Sequence, residues 1–263
     1  MTRRWMAALA AGWVLVACGG GGSLPPGPDQ QQQPPPELPG TPVDPGTPVD
    51  PGPVNPDPSK QTLWPLTAGS TWVYDIQEGL VRYQKTVKVV GPANVPETQP
   101  VMKGVLVHSR QDRVGGLVYE EYSYQVELTE GIVVRVREED FKNGQQVRTT
   151  TWRPATVKAV SRIPESLPWT NKNDVRELTV MGDGSEEESD PTYQWTVVEK
   201  GLTVTTKAGT FTHVIKVQRD KLNDKGEVKL DKVRYYWLAP GVGKIREESE
   251  ERTEELVSFD VKK

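Results

Sequence analysis

From about residue 60 onward, apolar residues recur with a period of two, the pattern of β-strands with one face on a core and the other in water. Trp72, Tyr74 and Ile76 alternate with Thr71, Val73, Asp75 and Gln77. Val118, Tyr122, Tyr124, Val126 and Leu128 alternate with Glu121, Ser123, Gln125 and Glu127, and Ile132, Val134 and Val136 oppose Arg135 and Arg137. The pattern returns in Tyr193-Trp195-Val197, Phe211-His213-Ile215-Val217, Val233-Tyr235-Trp237 and Val257-Phe259-Val261. Between these runs lie Gly115-Gly116, Glu130-Gly131, Asn143-Gly144, Lys200-Gly201 and Asp224-Lys225-Gly226, which supply the positive-φ positions that tight hairpins need. Strand, turn, strand is the logic of an antiparallel meander. The expected fold is therefore mainly β, with about ten to twelve strands forming a curved sheet, half-barrel or sandwich. Arg246–Glu255 has helix-forming residues but no apolar stripe, so it reads as an exposed hairpin or strand extension.

The first sixty residues follow other rules. Arg3 and Arg4 precede an apolar run from Trp5 to Val16, too short for a stable span, which is the layout of a secretory signal peptide over residues 1–17. The run closes on Leu15-Val16-Ala17-Cys18-Gly19, which resembles the lipobox of bacterial lipoproteins. That resemblance implies cleavage after Ala17 and acylation of the Cys18 thiol, making Cys18 the lipidation site. Two or three acyl chains hold a protein durably where one does not. Gly19 in place of an aspartate after the lipidated cysteine implies an outer-membrane destination, with the domain in the periplasm or at the cell surface. Cys18 is the sole cysteine, so it serves no intramolecular disulfide and no thiolate metal site.

Residues 18–59 carry four consecutive glycines and fourteen of the 23 prolines, with a repeat Gly40-Thr-Pro-Val-Asp-Pro45 and Gly46-Thr-Pro-Val-Asp-Pro51. Proline removes amide donors, and the apolar content is too low to offset chain entropy, so this segment is expected to be a disordered tether. At ~3.1 Å per residue it could reach on the order of 100 Å. The β domain then occupies residues 60–263.

Two stretches of that domain carry a further resemblance. Leu63-Trp64-Pro65-Leu66-Thr67-Ala68-Gly69-Ser70-Thr71-Trp72-Val73-Tyr74 resembles the "PL..G..W.Y" opening of many uncharacterised bacterial lipoproteins. Ala208-Gly209-Thr210-Phe211 and Tyr236-Trp237-Leu238-Ala239-Pro240-Gly241-Val242-Gly243 are similar to their later signature. The motifs read as structural, with glycine at turns and aromatic side chains in the core, and carry no catalytic residue across. The layout is also similar to the half-barrel of periplasmic lipid carriers, as an analogy of architecture.

Candidate chemistry is sparse. Of the 32 basic and 36 acidic side chains, two and five precede Lys60, which leaves the domain at a net charge of about −1. No basic field argues for nucleic acid or for adhesion to anionic lipid. His213 alternates with apolar neighbours and is expected to face the interior. His108 and Ser109 point to opposite faces of one strand, and no Gly-x-Ser-x-Gly elbow supports a hydrolase. Two histidines make a zinc site improbable. Five carboxylates in Asp183–Asp190 could hold calcium, but the spacing is not that of an EF-hand, and a solvated loop is the simpler reading. The Glu247–Glu255 cluster reads the same way. Trp152, Trp169, Trp195 and Trp237 could stack on sugars, though in a chain with three phenylalanines they are better read as core volume. The expectation is a non-catalytic lipoprotein without cofactor or metal, acting in protein interaction or as an envelope scaffold. The alternative is a carrier or binder of lipid or another hydrophobic ligand.

Overall fold

In the computed structural model the described residues are Asp57 and residues 60–263. The segments read as signal peptide (1–17) and tether (18–59), with Cys18, lie outside them apart from Asp57. The described chain forms fourteen strands and a short 3-10 turn at Leu230–Lys232. In chain order the strands are β1 (Thr71–Glu78), β2 (Val81–Asn94), β3 (Lys103–Arg113), β4 (Leu117–Leu128), β5 (Ile132–Lys142), β6 (Gln145–Val160) and β7 (Trp169–Asp174). They continue with β8 (Arg176–Met181), β9 (Glu186–Ser189), β10 (Thr192–Thr206), β11 (Gly209–Leu222), β12 (Arg234–Ala239), β13 (Gly243–Ser249) and β14 (Arg252–Asp260).

All fourteen belong to one curved, unclosed antiparallel sheet in the order β7-β10-β11-β12-β13-β14-β1-β2-β3-β4-β5-β6-β8-β9. The mainly β, meandering expectation holds, with more strands than the ten to twelve anticipated. The additions include β7 and β9, whose polar sequences give no alternating apolar signal, and the short β8. Curvature brings β6 back towards β7 without a ladder between them. At this seam the Asn173 side chain accepts from the Val157 backbone N–H at 3.0 Å, replacing one missing strand bond.

The strand polarity defines two ends. The turns after β1, β3, β5, β8, β11 and β13 lie at one end, and those after β2, β4, β6, β10 and β12 at the other. The segment before β1 closes the second end. Leu63 is fully buried among Val160, Trp195, Ile215 and Leu238, and its N–H donates to Ser161 O at 2.8 Å. The two lipoprotein-like motifs meet here. Trp72 Nε1 donates to Val242 O at 2.7 Å, and Gly241 N to Thr62 O at 2.8 Å. Gly243, at φ +101°, lies so close to Pro65 that a Cβ there would meet the proline Cδ at 3.2 Å. The opening motif is thus a plug, and the later one is the turn on which it seats.

Three expectations fail. Lys200-Gly201 is not a hairpin turn but lies within β10, where the register with β11 shifts between Glu199 and Leu202. His213 does not face the interior: it is exposed at φ 57°, where the β10–β11 register slips between Leu202↔Val214 and Val204↔Phe211. The slip moves Val214 inward in its place. In β4 the polar set is the buried one, with Ser123 and Gln125 enclosed while Tyr122 and Tyr124 are only partly covered. The inner face of this sheet is in part polar, so the rule that apolar means inward breaks there. Arg246–Glu255 does form a hairpin, as expected, but two of its glutamates are buried rather than exposed.

The seat of the plug is open to test. Gly243→Ala adds a methyl group at a positive φ and against Pro65, and should lower unfolding stability by about 1–3 kcal/mol. Gly226→Ala, also at positive φ but with no atom within 4 Å, should cost less. Urea unfolding of the two variants checks the order.

Candidate functional site

The inner face of the sheet encloses a chamber of about 390 Å³, flanked by an apolar crevice of about 80 Å³. Trp64, Leu66, Trp72, Val87, Val89 and Val107 supply the apolar side of the crevice, beside the plug. Lys85, Glu121, Lys158 and Lys244, with Trp64, border both spaces. At the opposite end the chamber reaches solvent, where the Arg148 and Arg234 side chains are each 46% exposed. The site is therefore a recess, closed and apolar at one end and charged towards its mouth.

Its charges sit on strands whose register brings them together. Glu247 of β13 lies directly opposite Glu254 of β14, both inward and buried, with Glu254 only 3% exposed. Two carboxylates in that position repel unless cations intervene. Lys244 Nζ bridges them, donating to Glu254 Oε2 at 2.7 Å and to Glu247. Lys85 and Arg252 reach Glu254 at 2.8 and 2.7 Å, and Arg234 reaches Glu247 at 3.2 Å. Burial alone would push both carboxyls up. Lys244, Lys85 and Arg252 instead hold Glu254 well below the usual carboxylate range, and Lys244 and Lys85 lower Glu247. The Lys244 ammonium is raised despite its burial, by Glu247 and Glu254. Tyr74 completes this corner, donating its hydroxyl to Lys244 O at 2.8 Å.

On β4 and β5, Glu121, Glu138 and Asp140 bring carboxylate oxygens within 4.8 Å of one another. Sequence spacing gave no hint of this group. Each is already met by a guanidinium: Arg135 contacts Glu138 and lies 3.6 Å from Glu121, and Arg148 pairs with Asp140. The arrangement is an ion-pair network, and a cation entering it would have to displace two arginines.

Other cations have no such partner. The Lys158 ammonium makes no hydrogen bond or ion pair with a described side chain, although it borders both the crevice and the chamber. Burial first, then the neighbouring Arg135, Lys244 and Lys85, push its ammonium down to about 7, and only Glu121 opposes them. Arg219 touches no carboxylate. It lies over the Tyr193 ring at 5.1 Å and directly opposite Arg234 in the β11–β12 ladder. Its register partner on β10 is Trp195, 1% exposed, whose Nε1 also has no acceptor among the described residues.

The sequence candidates disperse. His108 is on β3, stacked on Tyr122 at 4.5 Å and bonded to Glu120 at 3.0 Å, and Ser109 is buried on the other face. Asp183 caps its own turn through Ser185, and Glu186, Glu187 and Glu188 lie along the exposed edge strand β9, so residues 183–190 are not gathered around a point. Trp152 and Trp195 are buried beside the chamber. Trp237 lies partly exposed on the other face, under Lys216 and Arg246 at 5.0 and 5.2 Å.

Comparison with known proteins places residues 167–261, essentially β7 to β14, in a match to the DUF3108-like family. No curated protein sequence matches the chain. A candidate exported protein with a YmcC-like fold from Bacteroides fragilis is 13% identical over 76% of this chain and 99% of its own, with a TM-score of 0.42. A candidate lipoprotein from Parabacteroides distasonis is 14% identical over the same shares, with a TM-score of 0.35. Likeness at this level transfers no activity.

Two outcomes follow from the charges. Glu254→Gln leaves Lys244 and Lys85 undercompensated and should cost about 3–5 kcal/mol. Because the wild-type carboxyls titrate low, their contribution is present above the ordinary value of about 4.5 and is lost as pH falls through their folded-state values, so the variant should show less acid sensitivity. Lys158 acts in the opposite sense. Its proton is held by the unfolded chain and not by the folded one between about 7 and 10.5, so the burden it places on stability is full below that window and fades through it. Lys158→Met should therefore stabilise the protein by about 1–2 kcal/mol at pH 6, with the gain vanishing towards pH 10.5. Chemical unfolding across pH measures both.

Proposed function

We propose that this chain is an envelope lipoprotein, anchored through Cys18 and facing the periplasm or cell surface from the outer membrane, whose β domain binds a small amphipathic ligand without transforming it. The observation that carries the reading is the recess: the concave face is not packed shut but holds a chamber and a contiguous apolar crevice. A scaffold needs no such space, and it would be better stabilised by apolar side chains there. Cavities of this size are the usual seats of small molecules. The lipobox resemblance supplies the anchor, and the Pro-rich tether supplies reach from the membrane.

Partner-protein binding by strand addition has less support. The β9 edge presents Glu186, Glu187 and Glu188, all exposed, and charged edges discourage pairing. The β7 edge lies at the seam with β6. No arrangement of nucleophile, base and oxyanion donors is assembled among the described residues, so the reading is of binding rather than catalysis.

The full-length protein, extracted in native nanodiscs without detergent, should retain a small amphiphile visible by native mass spectrometry. After delipidation it should enhance the fluorescence of 8-anilinonaphthalene-1-sulfonate with saturation. Ligand-free protein that also fails to bind the dye would refute the proposal.

A further inference from the structure

We propose that the recess is built for an anionic amphiphile, whose oxyanion head sits between Lys158 and Arg219 and whose apolar part enters the crevice beside Trp64 and Trp72. This rests on the binding function proposed above and names the chemistry of its ligand.

The first support is charge balance. Eight cationic side chains border the chamber, Lys85, Lys158 and Lys244 with Arg135, Arg148, Arg219, Arg234 and Arg252, against six carboxylates, Glu121, Glu138, Asp140, Glu177, Glu247 and Glu254. Six of the eight cations are in ion pairs with those acids. The two without an ion pair are Lys158, favoured only by the shared Glu121, and Arg219; of the acids, Glu177 accepts from Trp152 and has no ion pair. An enclosed charge without a counter-ion is costly, and a group of like charges is more so. Arg135 lines the same chamber and interacts unfavourably with both Lys158 and Arg219. An oxyanion placed there meets three cations at once and removes that repulsion.

The second support is position. Lys158 borders both the crevice and the chamber, so a head held by its ammonium leaves a tail at the mouth of the apolar pocket. The Val157–Asn173 bond and the ladders Asn173↔Tyr193 and Tyr193↔Lys221 put Lys158 at nearly the same level along the strands as Arg219, across the seam. Both cations line the same chamber, so one head can be met by each. Next to Arg219 in register, the buried Trp195 Nε1–H has no acceptor among the described residues. A cationic amphiphile would meet Lys158 and Arg219 unfavourably, and a neutral one would leave both unpaired.

The delipidated full-length protein is titrated with octyl sulfate, whose charge is constant over the pH range, and with octanol, octyltrimethylammonium and inorganic sulfate, following tryptophan fluorescence and calorimetry. Octyl sulfate should bind at least tenfold more tightly than octanol or inorganic sulfate, and octyltrimethylammonium should not compete. Lys158→Gln and Arg219→Gln should each weaken octyl sulfate about tenfold while leaving octanol unchanged. Octyl sulfate affinity should also rise as pH falls from 8 to 6 in the wild type and not in Lys158→Gln, since Lys158 gains its proton in that interval. Equal binding of octanol and octyl sulfate, unaltered by either substitution, would overturn the anionic head site while leaving the binding function standing. Inorganic sulfate binding as tightly as octyl sulfate would make the site one for free anions and overturn the amphiphile. Binding of none of the probes would remove both readings. Lys158→Gln deletes an unpaired charge, so loss of fold is not expected, and thermal melting of each variant verifies it.

Discussion

The pair Glu247 and Glu254 sets the terms for the concave face. Antiparallel register places the two carboxylates opposite one another and inward, and neither can be tolerated there without cations. Lys244, Lys85, Arg252 and Arg234 come from β13, β2, β14 and β12, so one electrostatic requirement ties strands across the middle of the sheet. A buried network of this kind is poor as a source of net stability, because desolvation consumes most of the Coulomb gain. Its consequence is different: charged groups that must remain solvated or paired keep the interior from collapsing into a dry core. The open chamber and the ion network are two sides of the same constraint.

The hydrophobic work is then done around that chamber. One cluster gathers at Leu63, Trp195, Ile215 and Leu238, and another at Trp72, Ile76, Val89 and Leu256. The plug formed by residues 62–66 joins them, and its docking on Gly241–Gly243 explains why glycines recur in that turn. Gly243 admits Pro65 where a Cβ would be held 3.2 Å from the proline Cδ, and Trp72 secures the same turn from β1. The end next to the apolar crevice is sealed by local geometry, and the opposite end is left to the charged rim.

Most of the fold was legible in the sequence because a period of two survives burial on one face. The turns at Gly115-Gly116, Glu130-Gly131 and Asn143-Gly144 fall between the strands they were expected to separate, whereas Lys200-Gly201 lies within β10, at a register shift between Glu199 and Leu202. The site was much less legible. Lys85, Lys158, Arg219, Glu247 and Glu254 look like ordinary solvent-facing charges in a one-dimensional pattern, and only the curvature of the sheet turns them inward. The same effect misleads in β4, where Ser123 and Gln125 are enclosed. His213 failed for a local reason: a register slip reverses the faces after it, and no turn residue announces it. One signal was available: Glu247 and Glu254 occupy mirrored positions about the β13–β14 turn, so a hairpin reading puts both on one face.

A protein can carry an unpaired lysine inside a recess only if the rest of the structure holds it there. Here Lys158 is flanked by Arg135 on the neighbouring strand β5, and the one carboxylate that favours its charge, Glu121, is shared with Arg135. Selection for stability alone would replace such a group, since an apolar side chain of similar length fits the crevice it borders. Arg219 makes the same case from the other side of the chamber, where it faces Arg234 across the ladder without a carboxylate of its own. Two independent positions on different strands, both unfavourable for folding and both turned to one space, are more economically explained by what enters that space than by the fold that surrounds it.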